Sequence, residues 1–299
     1  GCVEKTIRSK GKNLKAIMNS KYSFVRKEFH SQITPEIGEC CIDITPYTRY
    51  LHKELSSIGM NPYREQEKFL FESEIKFHNF PDVLRRKVVD FKRYGNEYGA
   101  LYIKGFPRDE ILPPTPKTIH DKSKATFVSD AVLSSVGMAL GDPMAYTQQH
   151  DGQLFHNTMP IQRDEQEQSF SGSKVFLEFH TEITFHPFIP HFILLYCIRQ
   201  DHNAEAMTVC ANVQHILHEM PIKYRPILFQ ERFITGIDYS WGYRKKDKSV
   251  GKKCAILYGQ AYDPFINYDI DLMTALDSEA EEALNAGHLE KCRDPARSR

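Results

Sequence analysis

A histidine and a glutamate two positions apart are the residues of this sequence best suited to metal chemistry. His180 and Glu182 lie in the largely apolar segment FLEFHTEITFHP. In a β-strand successive side chains point to opposite faces, so these two would point the same way, with their Cα atoms ~6–7 Å apart. An imidazole and a carboxylate at that spacing can bind one metal ion. Two histidines and one carboxylate on a single face leave three positions open, which is typical of non-haem Fe(II) centres.

Two simpler interpretations of the pair stay open. A polar pair on a strand usually marks a solvent-facing surface, and a buried His–Glu pair can be an internal ion pair. The metal interpretation is favoured because an unpaired carboxylate inside an apolar strand is costly, and a metal would remove that cost. We therefore expect His180 and Glu182 to share one strand and to point into the interior.

A third protein ligand has to come from elsewhere in the chain. His186 has the strand parity of the pair but lies ~13 Å beyond Glu182 along a strand, whereas metal–nitrogen bonds are about 2 Å long. His288 follows much later in the chain and is the candidate that we retain. The other candidates, which could reach the site only through folding that the sequence does not reveal, are His150, His156 and His191.

Helical spacing of apolar residues marks a few segments. FPDVLRRKVVDFKRYG predicts a helix that begins near Phe80 and ends at Gly95. Ala125–Leu140 predicts another helix, stopped by Gly141 and the Asp-Pro after it. Two short helices are expected further on, the second with an aspartate before it that is suited as an N-cap. They are Val213–Glu219 and Ser278–Asn285, the latter preceded by Asp277.

Short runs of β-branched and aromatic residues predict strands. They are Ala100–Phe106, Phe176–Phe185, His191–Arg199, Met207–Val213 and Ala255–Ala261. Strands connected in this way favour a β-sandwich or a distorted barrel. We expect a mostly β fold with peripheral helices, as a single domain over residues 31–299 preceded by a flexible, Lys-rich arm at residues 1–30.

Charge and cysteine content disfavour several classes of protein. Lys+Arg and Asp+Glu both number 39, so neither a nucleic-acid partner nor an acidic membrane surface is indicated. The 7 cysteines form no CxxC pair, which disfavours a disulfide framework or a zinc ribbon and indicates a reducing compartment such as the cytoplasm. No apolar stretch is long enough to span a bilayer. The sequence does not set the oligomeric state.

Four blocks extend the argument beyond the His–Glu pair. They are GALYIKGFPRDEILPPTP, LGDPMAYTQQHDGQLFHNTMP, GSKVFLEFHTEITFHPFIPHFILLYCIR and EAMTVCANV. In this order they resemble successive blocks of the clavaminate synthase-like, taurine dioxygenase-type Fe(II), 2-oxoglutarate-dependent oxygenases, over roughly residues 95–286. The resemblance implies a double-stranded β-helix (jelly-roll) core and Fe(II), with 2-oxoglutarate and O₂ as co-substrates. It also implies a small-molecule substrate, a free amino acid such as asparagine, arginine or lysine, which is hydroxylated.

The same resemblance assigns roles to individual residues. His180 and Glu182 match the two near metal ligands, and Thr208 matches a threonine that contacts the 2-oxoglutarate carboxylate. The residues at substrate-pocket positions are Gln149, Ser171 and Asp269, with Asp271 as the same-face neighbour of Asp269 if that stretch is extended. Each role has a simpler alternative: Thr208 can be an ordinary strand threonine, Gln149 a solvated loop residue and Asp269 a turn former.

The C-terminal residues depart from the family pattern. The family adds two core strands after the DSEAEEAL helix, and these carry a distal histidine ligand and an arginine that binds the far carboxylate of 2-oxoglutarate. Here GHLEKCRDPARSR follows, in which His288, Arg293 and Arg297 keep the order but not the local pattern. We therefore expect a jelly roll that is incomplete at this end. We also expect a poor oxygenase, unless His288 completes the metal site.

Two other classes of protein compete with the oxygenase interpretation. One is a non-catalytic jelly-roll protein that binds a small acid or a partner, and the other is a cupin-like metalloenzyme with the same ligand types. Release of succinate from 2-oxoglutarate, in the presence of Fe(II) and free amino acids, separates them because only the oxygenase carries it out.

Overall fold

The computed structural model describes residues 40–114, 124–159, 178–200, 208, 210–237, 241 and 251–286. Its α-helices are α1 (Thr48–Ser56), α2 (Gln66–His78), α3 (Asp82–Tyr94), α4 (Val128–Leu140), α5 (Val213–Glu219), α6 (Arg225–Leu228) and α7 (Ser278–Ala286). Its strands are β1 (Cys41–Asp43), β2 (Tyr102–Lys104), β3 (Phe233–Thr235), β4 (Lys253–Cys254), β5 (Leu257–Gln260), β6 (Asp263–Ile266) and β7 (Met273–Ala275). None of these helices is long and apolar enough to cross a membrane.

The first of two apolar cores lies among helices α1 to α4. In α3, Leu84 and Val88 are one turn apart and both fully buried because residues i and i+4 share one helix face. Burying a side chain of this size contributes roughly 1.5–3 kcal/mol. Gly95, with a φ of 62°, follows the last residue of α3. The helix predicted between Phe80 and Gly95 is therefore confirmed.

Helix α4 begins at a cap supplied from a distant part of the chain. The Asp109 carboxylate accepts hydrogen bonds from the backbone N–H of Val128 at 2.8 Å and of Ser129 at 3.3 Å. Its side chain is 0% exposed and forms an ion pair with Lys124 at 3.0 Å. The predicted Ala125–Leu140 helix is confirmed from Val128 onward and ends before Gly141, as expected.

A pair of parallel strands, β1 and β2, belongs to the same region. Their register places Cys41 opposite Tyr102, which confirms a strand inside the predicted Ala100–Phe106 run. Gly105 follows β2 with a φ of 97°, and a Cβ there would lie 2.3 Å from the backbone N of Thr45. Only glycine allows this close approach between the two segments.

The second core lies among β3 to β7 and helices α5 to α7. Strand β3 pairs antiparallel with both β4 and β7, and β5 and β6 form a hairpin. Helix α5 has the predicted bounds, and α7 is one residue longer than predicted. The Asp277 carboxylate accepts the N–H of Ala280 at 3.0 Å, so the predicted N-cap is confirmed. Arg232 donates to the same carboxylate and so joins the start of α7 to β3.

Several predicted strands are wrong. The range 191–199 contains no strand, although Phe192, Leu194 and Tyr196 pack on the first core while Ile193 and Leu195 are exposed. The expected strand Met207–Val213 is not found over 208 and 210–212. The strand predicted over Ala255–Ala261 is confirmed, because β5 lies within that range. An alternating pattern identifies the side of the chain that faces a core, but a strand also requires a hydrogen-bonded neighbour.

The proportion of helix corrects the fold expectation as well. Within the described residues helix exceeds strand, so "mostly β" is wrong for that part of the chain. The segment from Glu178 to Tyr196 joins the two cores, because Phe179 packs against the second core and Phe192 and Leu194 pack against the first. This segment carries His180 and Glu182.

Candidate metal centre

His180 is held by an isolated β-bridge to Asp269. Next to it, the Thr181 N–H donates to the Tyr268 carbonyl at 2.7 Å. The Nδ1–H of His180 donates to the Glu178 carbonyl at 2.7 Å. This bond fixes the ring orientation and, when the imidazole is neutral, leaves the Nε2 lone pair for a ligand.

Glu182 meets His180 on a partly exposed surface. The distance from His180 Nε2 to Glu182 Oε1 is 3.5 Å, and the two side chains are 29% and 40% exposed. The predicted convergence of the pair is therefore observed. The expectation that one strand carries both residues into the interior is wrong, because strand pairing ends at His180 and Glu182 begins a turn.

The turn at 182–185 replaces the rest of the predicted Phe176–Phe185 strand. Ile183 lies in the left-handed region with a φ of 55°, and the His186 N–H donates to the Ile183 carbonyl at 3.1 Å. An L-residue rarely adopts this conformation without support from its surroundings. Glu182 is the first residue of this turn, and its carboxylate lies 3.5 Å from His180 Nε2.

Buried hydrogen bonds to Thr184 hold this turn in place. The side-chain amide of Asn267 donates to the Thr184 carbonyl at 3.0 Å. The hydroxyl of Thr184 hydrogen-bonds to that of Thr235, on β3, at 3.1 Å. All three residues are at most 8% exposed. Sequence reasoning missed them because each lies far from the others in the chain.

An aromatic cluster covers the other side of the turn. The ring of Tyr146 lies 4.7 Å from that of His186 and 5.1 Å from that of Trp241, centroid to centroid. Phe185 also packs on Trp241 at 5.1 Å. The Tyr146 hydroxyl donates to the Phe188 carbonyl at 2.6 Å. The sequence held one signal for this cluster, since Trp241 is the only tryptophan in the chain.

Charge coupling within the pair shifts protonation. The hydrogen bond with Glu182 raises the pKa of His180 to about 9, against the opposing effect of burial. The pKa of Asp269 is raised, because the effect of burial outweighs the opposing effect of the neighbouring His180 charge. Burial, and then the Glu182 charge, raise the pKa of Tyr146. Without a metal, the proton on His180 offsets the negative charge of the Glu182 carboxylate. A bound metal cation would offset that charge instead.

Asp269 and Asp271 form a turn instead of an extended face. Asp269 Oδ1 accepts the N–H of Asp271 at 2.9 Å and of Leu272 at 3.2 Å. The turn-forming alternative for Asp269 is therefore confirmed, although the bridge also places Asp269 beside His180. The expectation that Asp271 shares its face in an extended stretch is wrong, because these two hydrogen bonds close a turn.

Of the remaining predicted site residues, two are described by the structure and four lie outside the described residues. Gln149 is half-buried, and its N–H donates to the Tyr146 carbonyl at 3.0 Å, which ties it to the aromatic cluster. Thr208 is exposed. The site residues that lie outside the described residues are Ser171, His288, Arg293 and Arg297.

The other histidines considered as third ligand have different neighbours. The His186 ring packs beside Tyr146 and Trp241. The rings of His150 and His156 lie against each other with centroids 4.0 Å apart. Within the described residues, no three His, Cys, Asp or Glu side chains come close enough to hold a metal ion. The described part of the chain therefore supplies a metal centre with two protein donors at most.

These two donors fit a non-haem iron ion in type and placement. A nitrogen lone pair and a carboxylate oxygen converge on the same accessible side, and the other ring nitrogen of His180 is already bonded to a backbone carbonyl. Such a bond is the usual outer support of a metal-bound histidine. His180 and Glu182 would hold the metal, and at least one further protein ligand has to join them.

Comparison with known proteins identifies the family. The model of the taurine catabolism dioxygenase TauD, TfdA family matches residues 61–253. This chain belongs to that family. It is accordingly a 2-oxoglutarate-dependent dioxygenase that uses Fe(II) and O₂, and the resemblance stated from the four sequence blocks is confirmed.

Individual relatives agree with this placement. Clavaminate synthase 2 of Streptomyces clavuligerus is 29% identical over 255 residues, which are 85% of this chain and 78% of that protein. L-asparagine oxygenase of Streptomyces coelicolor is 29% identical over 209 residues, 70% of this chain and 62% of that protein. L-lysine 3-hydroxylase of Catenulispora acidiphila is 27% identical over 251 residues, 83% of this chain and 70% of that protein.

Solved structures show the fold class. Asparagine oxygenase, in complex with Fe(II), 2S,3S-3-hydroxyasparagine and succinate, has a TM-score of 0.70 with 23% identity, over 84% of this chain and 79% of that one. Non-heme iron oxygenase OrfP, in complex with Fe and alpha-ketoglutaric acid, has a TM-score of 0.62 with 19% identity, over 82% of this chain and 77% of that one. The chain has the fold of these iron oxygenases.

Proposed function

We propose that this oxygenase hydroxylates a free L-amino acid at an unactivated carbon. The proposal is supported by the amino-acid oxygenases and hydroxylases among its relatives and by the structures that contain hydroxylated amino acids. The observation that carries it is the approach of His180 Nε2 to Glu182 Oε1, 3.5 Å apart on an accessible surface. The same distance also fits an ion pair without metal, so Fe(II) titration is the measurement that separates the two.

His180 and Glu182 are proposed as the two near ligands of Fe(II). When bound, Fe(II) would activate O₂ with electrons from 2-oxoglutarate and so supply the oxidant for C–H hydroxylation. The Glu178 carbonyl keeps the Nδ1 proton in place, so Nε2 faces the metal side. His288 is the candidate for the third ligand.

The 2-oxoglutarate is proposed to be held through its carboxylates. Thr208 would donate its hydroxyl proton to one carboxylate oxygen. Arg293 or Arg297 would bind the far carboxylate through two parallel N–H bonds, which are among the stronger polar contacts in proteins. Thr208 is assigned from its match to the family, whereas Arg293 and Arg297 are assigned from their residue type and their order after His288.

The amino-acid substrate is proposed to lie beside Asp269. Its carboxylate is half-buried next to His180, and both of its backbone hydrogen bonds go to Oδ1. Oδ2 can therefore accept from an α-ammonium group or a cationic side chain of the substrate. The other proposed pocket positions are Gln149, Ser171 and Asp271. Substrate position sets the hydroxylated carbon, because only a C–H bond aimed at the oxidant reacts.

The surrounding core is proposed to be a double-stranded β-helix. The fold of the solved iron oxygenases supports this, as does the pairing of His180 with Asp269 across two distant segments. The single-domain arrangement over residues 31–299, with an N-terminal arm at 1–30, belongs to the same proposal.

The test is a coupled assay with free amino acids. The protein is incubated with Fe(II), 2-oxoglutarate and each amino acid in turn, and we expect succinate together with an amino acid that has gained one oxygen atom. Asp269→Asn should raise KM for the amino acid, because it removes the charge but keeps the shape. Loss of turnover in His288→Ala would identify the third ligand. Tight Fe(II) binding without succinate, for every amino acid, would contradict the proposal.

A further inference from the structure

A loop at residues 149–157 runs from the aromatic cluster beside the metal centre to the first core. It starts with a four-residue turn, which the Gly152 N–H closes by donating to the Gln149 carbonyl at 3.0 Å. Both central residues of this turn, His150 and Asp151, have positive φ angles, of 50° and 57°. Residues with a side chain rarely adopt this conformation without support from their surroundings. The shape of the loop therefore depends on what holds its two ends.

The start of the loop borders the turn that carries Glu182. The Gln149 N–H donates to the Tyr146 carbonyl at 3.0 Å, and the Tyr146 ring packs on His186. Tyr146 also lies within electrostatic reach of Glu182, because burial and then the Glu182 charge raise the pKa of Tyr146. Gln149, a proposed substrate-pocket residue, is thus tied by its backbone to a neighbour of the metal centre.

The end of the loop is anchored on Tyr63, a half-buried residue in the connection between α1 and α2. The ring of Phe155 packs edge-on against that of Tyr63, with centroids 6.0 Å apart, and against that of Phe69 at 6.1 Å. Two residues further on, the Asn157 side chain donates a hydrogen bond to the Tyr63 hydroxyl. Tyr63 therefore contacts the loop twice, once through its ring and once through its hydroxyl.

The Tyr63 hydroxyl is itself held by a buried ionic network. It donates to Asp130 Oδ1, on α4, at 3.3 Å, and Asp130 forms an ion pair with Lys124. Lys124 also pairs at 3.0 Å with Asp109, the carboxylate that caps α4. Burial, and then the Asp130 charge, raise the pKa of Tyr63, so its hydroxyl keeps its proton at neutral pH. A neutral hydroxyl can donate to the carboxylate and accept from the amide at the same time, which gives the loop a fixed anchor.

We propose that Tyr63 is a positioning residue for the amino-acid substrate. It holds the loop 149–157 in place and so keeps Gln149 at the edge of the metal centre, without touching the substrate itself. The anchoring follows from contacts of the described residues, whereas the effect on the substrate rests on the proposed function. Because a reacting C–H bond has to be held in the right geometry, a small displacement of this loop weakens productive binding of the substrate.

Amide hydrogen exchange, followed by NMR of the full-length, metal-free protein, tests the anchoring without any catalysis. Tyr63→Phe keeps the aromatic ring but removes the hydroxyl, so the Gly152 amide should exchange about three- to tenfold faster, the factor that one neutral hydrogen bond contributes. Asn157→Ala removes the same hydrogen bond from the loop side and should act alike, which guards against misfolding of Tyr63→Phe. The matched control is Tyr196→Phe, because this half-buried hydroxyl donates to the Pro107 carbonyl at 2.6 Å. It should leave exchange at Gly152 unchanged.

Steady-state kinetics then test the effect on the substrate. In the active enzyme, Tyr63→Phe and Asn157→Ala should each raise KM for the amino acid by about three- to tenfold, with KM for 2-oxoglutarate and the Fe(II) affinity unchanged. The double variant should have the same KM for the amino acid as Tyr63→Phe alone, because both substitutions remove one contact. Tyr196→Phe should keep the parent KM.

The possible failures of the proposal are distinguishable. Unchanged exchange at Gly152 in Tyr63→Phe and Asn157→Ala, or an equal acceleration in Tyr196→Phe, would overturn the anchoring. Faster exchange together with an unchanged KM for the amino acid would overturn the role of Tyr63 in substrate positioning. The absence of turnover with every amino acid would contradict the proposed function, while the exchange result would still decide whether Tyr63 holds the loop.

Discussion

In the proposed metal centre, the protonation of His180 should be coupled to metal binding. The hydrogen bond with Glu182 raises the pKa of His180 to about 9, so the imidazole is protonated at neutral pH when no metal is bound. A metal ion binds only the neutral form and therefore has to displace that proton. Apparent Fe(II) affinity should thus rise by about tenfold per pH unit up to pH 9, because the fraction of neutral imidazole rises in that proportion.

This coupling predicts a measurable titration. NMR of the metal-free protein should show His180 titrating near pH 9, and Glu182→Gln should lower that value towards the ordinary 6.5 because the anionic partner is gone. His215 serves as the control, since burial lowers its pKa and it should be unaffected by the substitution. An ordinary pKa for His180 in the parent protein would show that the two side chains do not interact.

At the residue scale, spacing alone predicted much of the site. The i, i+2 relation of His180 and Glu182 was enough to predict their convergence. The dual position of Asp269, which closes a turn and also flanks His180, could not be predicted. That position depends on a pairing between segments almost ninety residues apart, and nothing local in the sequence encodes the pairing.

At the element scale, the turn that carries Glu182 is the main structural feature of the site. Ile183 takes a left-handed conformation, which costs on the order of 1 kcal/mol or more, and the turn is closed by a hydrogen bond from His186 N–H. Asn267 and Thr235 hold it through the backbone and side chain of Thr184. The Glu182 side chain is therefore positioned by contacts that it does not make itself.

Asn267→Ala tests this positioning role. The substitution leaves the buried Thr184 carbonyl without its donor, so we expect a stability loss of about 1–3 kcal/mol and roughly tenfold weaker Fe(II) binding. The matched control is Asn96→Ala, because Asn96 likewise donates its amide to a backbone carbonyl, that of Ala100 at 2.7 Å. Equal effects of the two variants on Fe(II) affinity would argue against a specific role for Asn267.

Helices were more predictable than strands in this chain. The helix bounds at Val213–Glu219 followed from local spacing and caps, which reside in consecutive residues. The range 191–199 alternates as a strand should, yet it has no ladder. Alternation reports which side of the chain is buried, whereas strand pairing depends on distant partners.

At the scale of the whole molecule, the described residues form two apolar cores, joined by the segment that carries His180 and Glu182. The start of α4 in the first core depends on Asp109, whose side chain is fully buried. Burial raises the pKa of Asp109, but hydrogen bonds from Ser129 and Lys124 outweigh it and lower the pKa below the ordinary 3.8. The stabilisation from this carboxylate is present above pH 3.8 and is lost as the pH falls through its lowered pKa.

Asp109→Ala should therefore destabilise the fold by about 3 kcal/mol, because it removes the cap of α4 and one partner of Lys124. Thermal unfolding at neutral pH measures this loss, and the variant's stability should also depend less on pH below 4 than the parent's. Asp82→Ala is the control, since Asp82 is an exposed acid at the start of α3 and its loss should leave Tm close to the parent value. An unchanged Tm in Asp109→Ala would show that the cap does not stabilise the first core.

The family and its chemistry were accessible from the sequence, while the architecture was accessible only in part. The order of the four blocks anticipated the TauD, TfdA family match. The division into two cores and the aromatic cluster around Trp241 were not anticipated. Both depend on packing between segments that are separated by many tens of residues.

Fe(II) titration under argon tests the central claim most directly. We expect His180→Ala to lose Fe(II) affinity beyond the roughly 10–100-fold that the loss of a supporting contact costs. We expect His186→Ala to keep most of its affinity, because His186 packs in the aromatic cluster and hydrogen-bonds to the Phe188 N–H at 3.1 Å. A large loss of affinity confined to His180→Ala is the result that the proposed metal centre predicts. Equal loss in the two variants, or an unchanged affinity in His180→Ala, would contradict it.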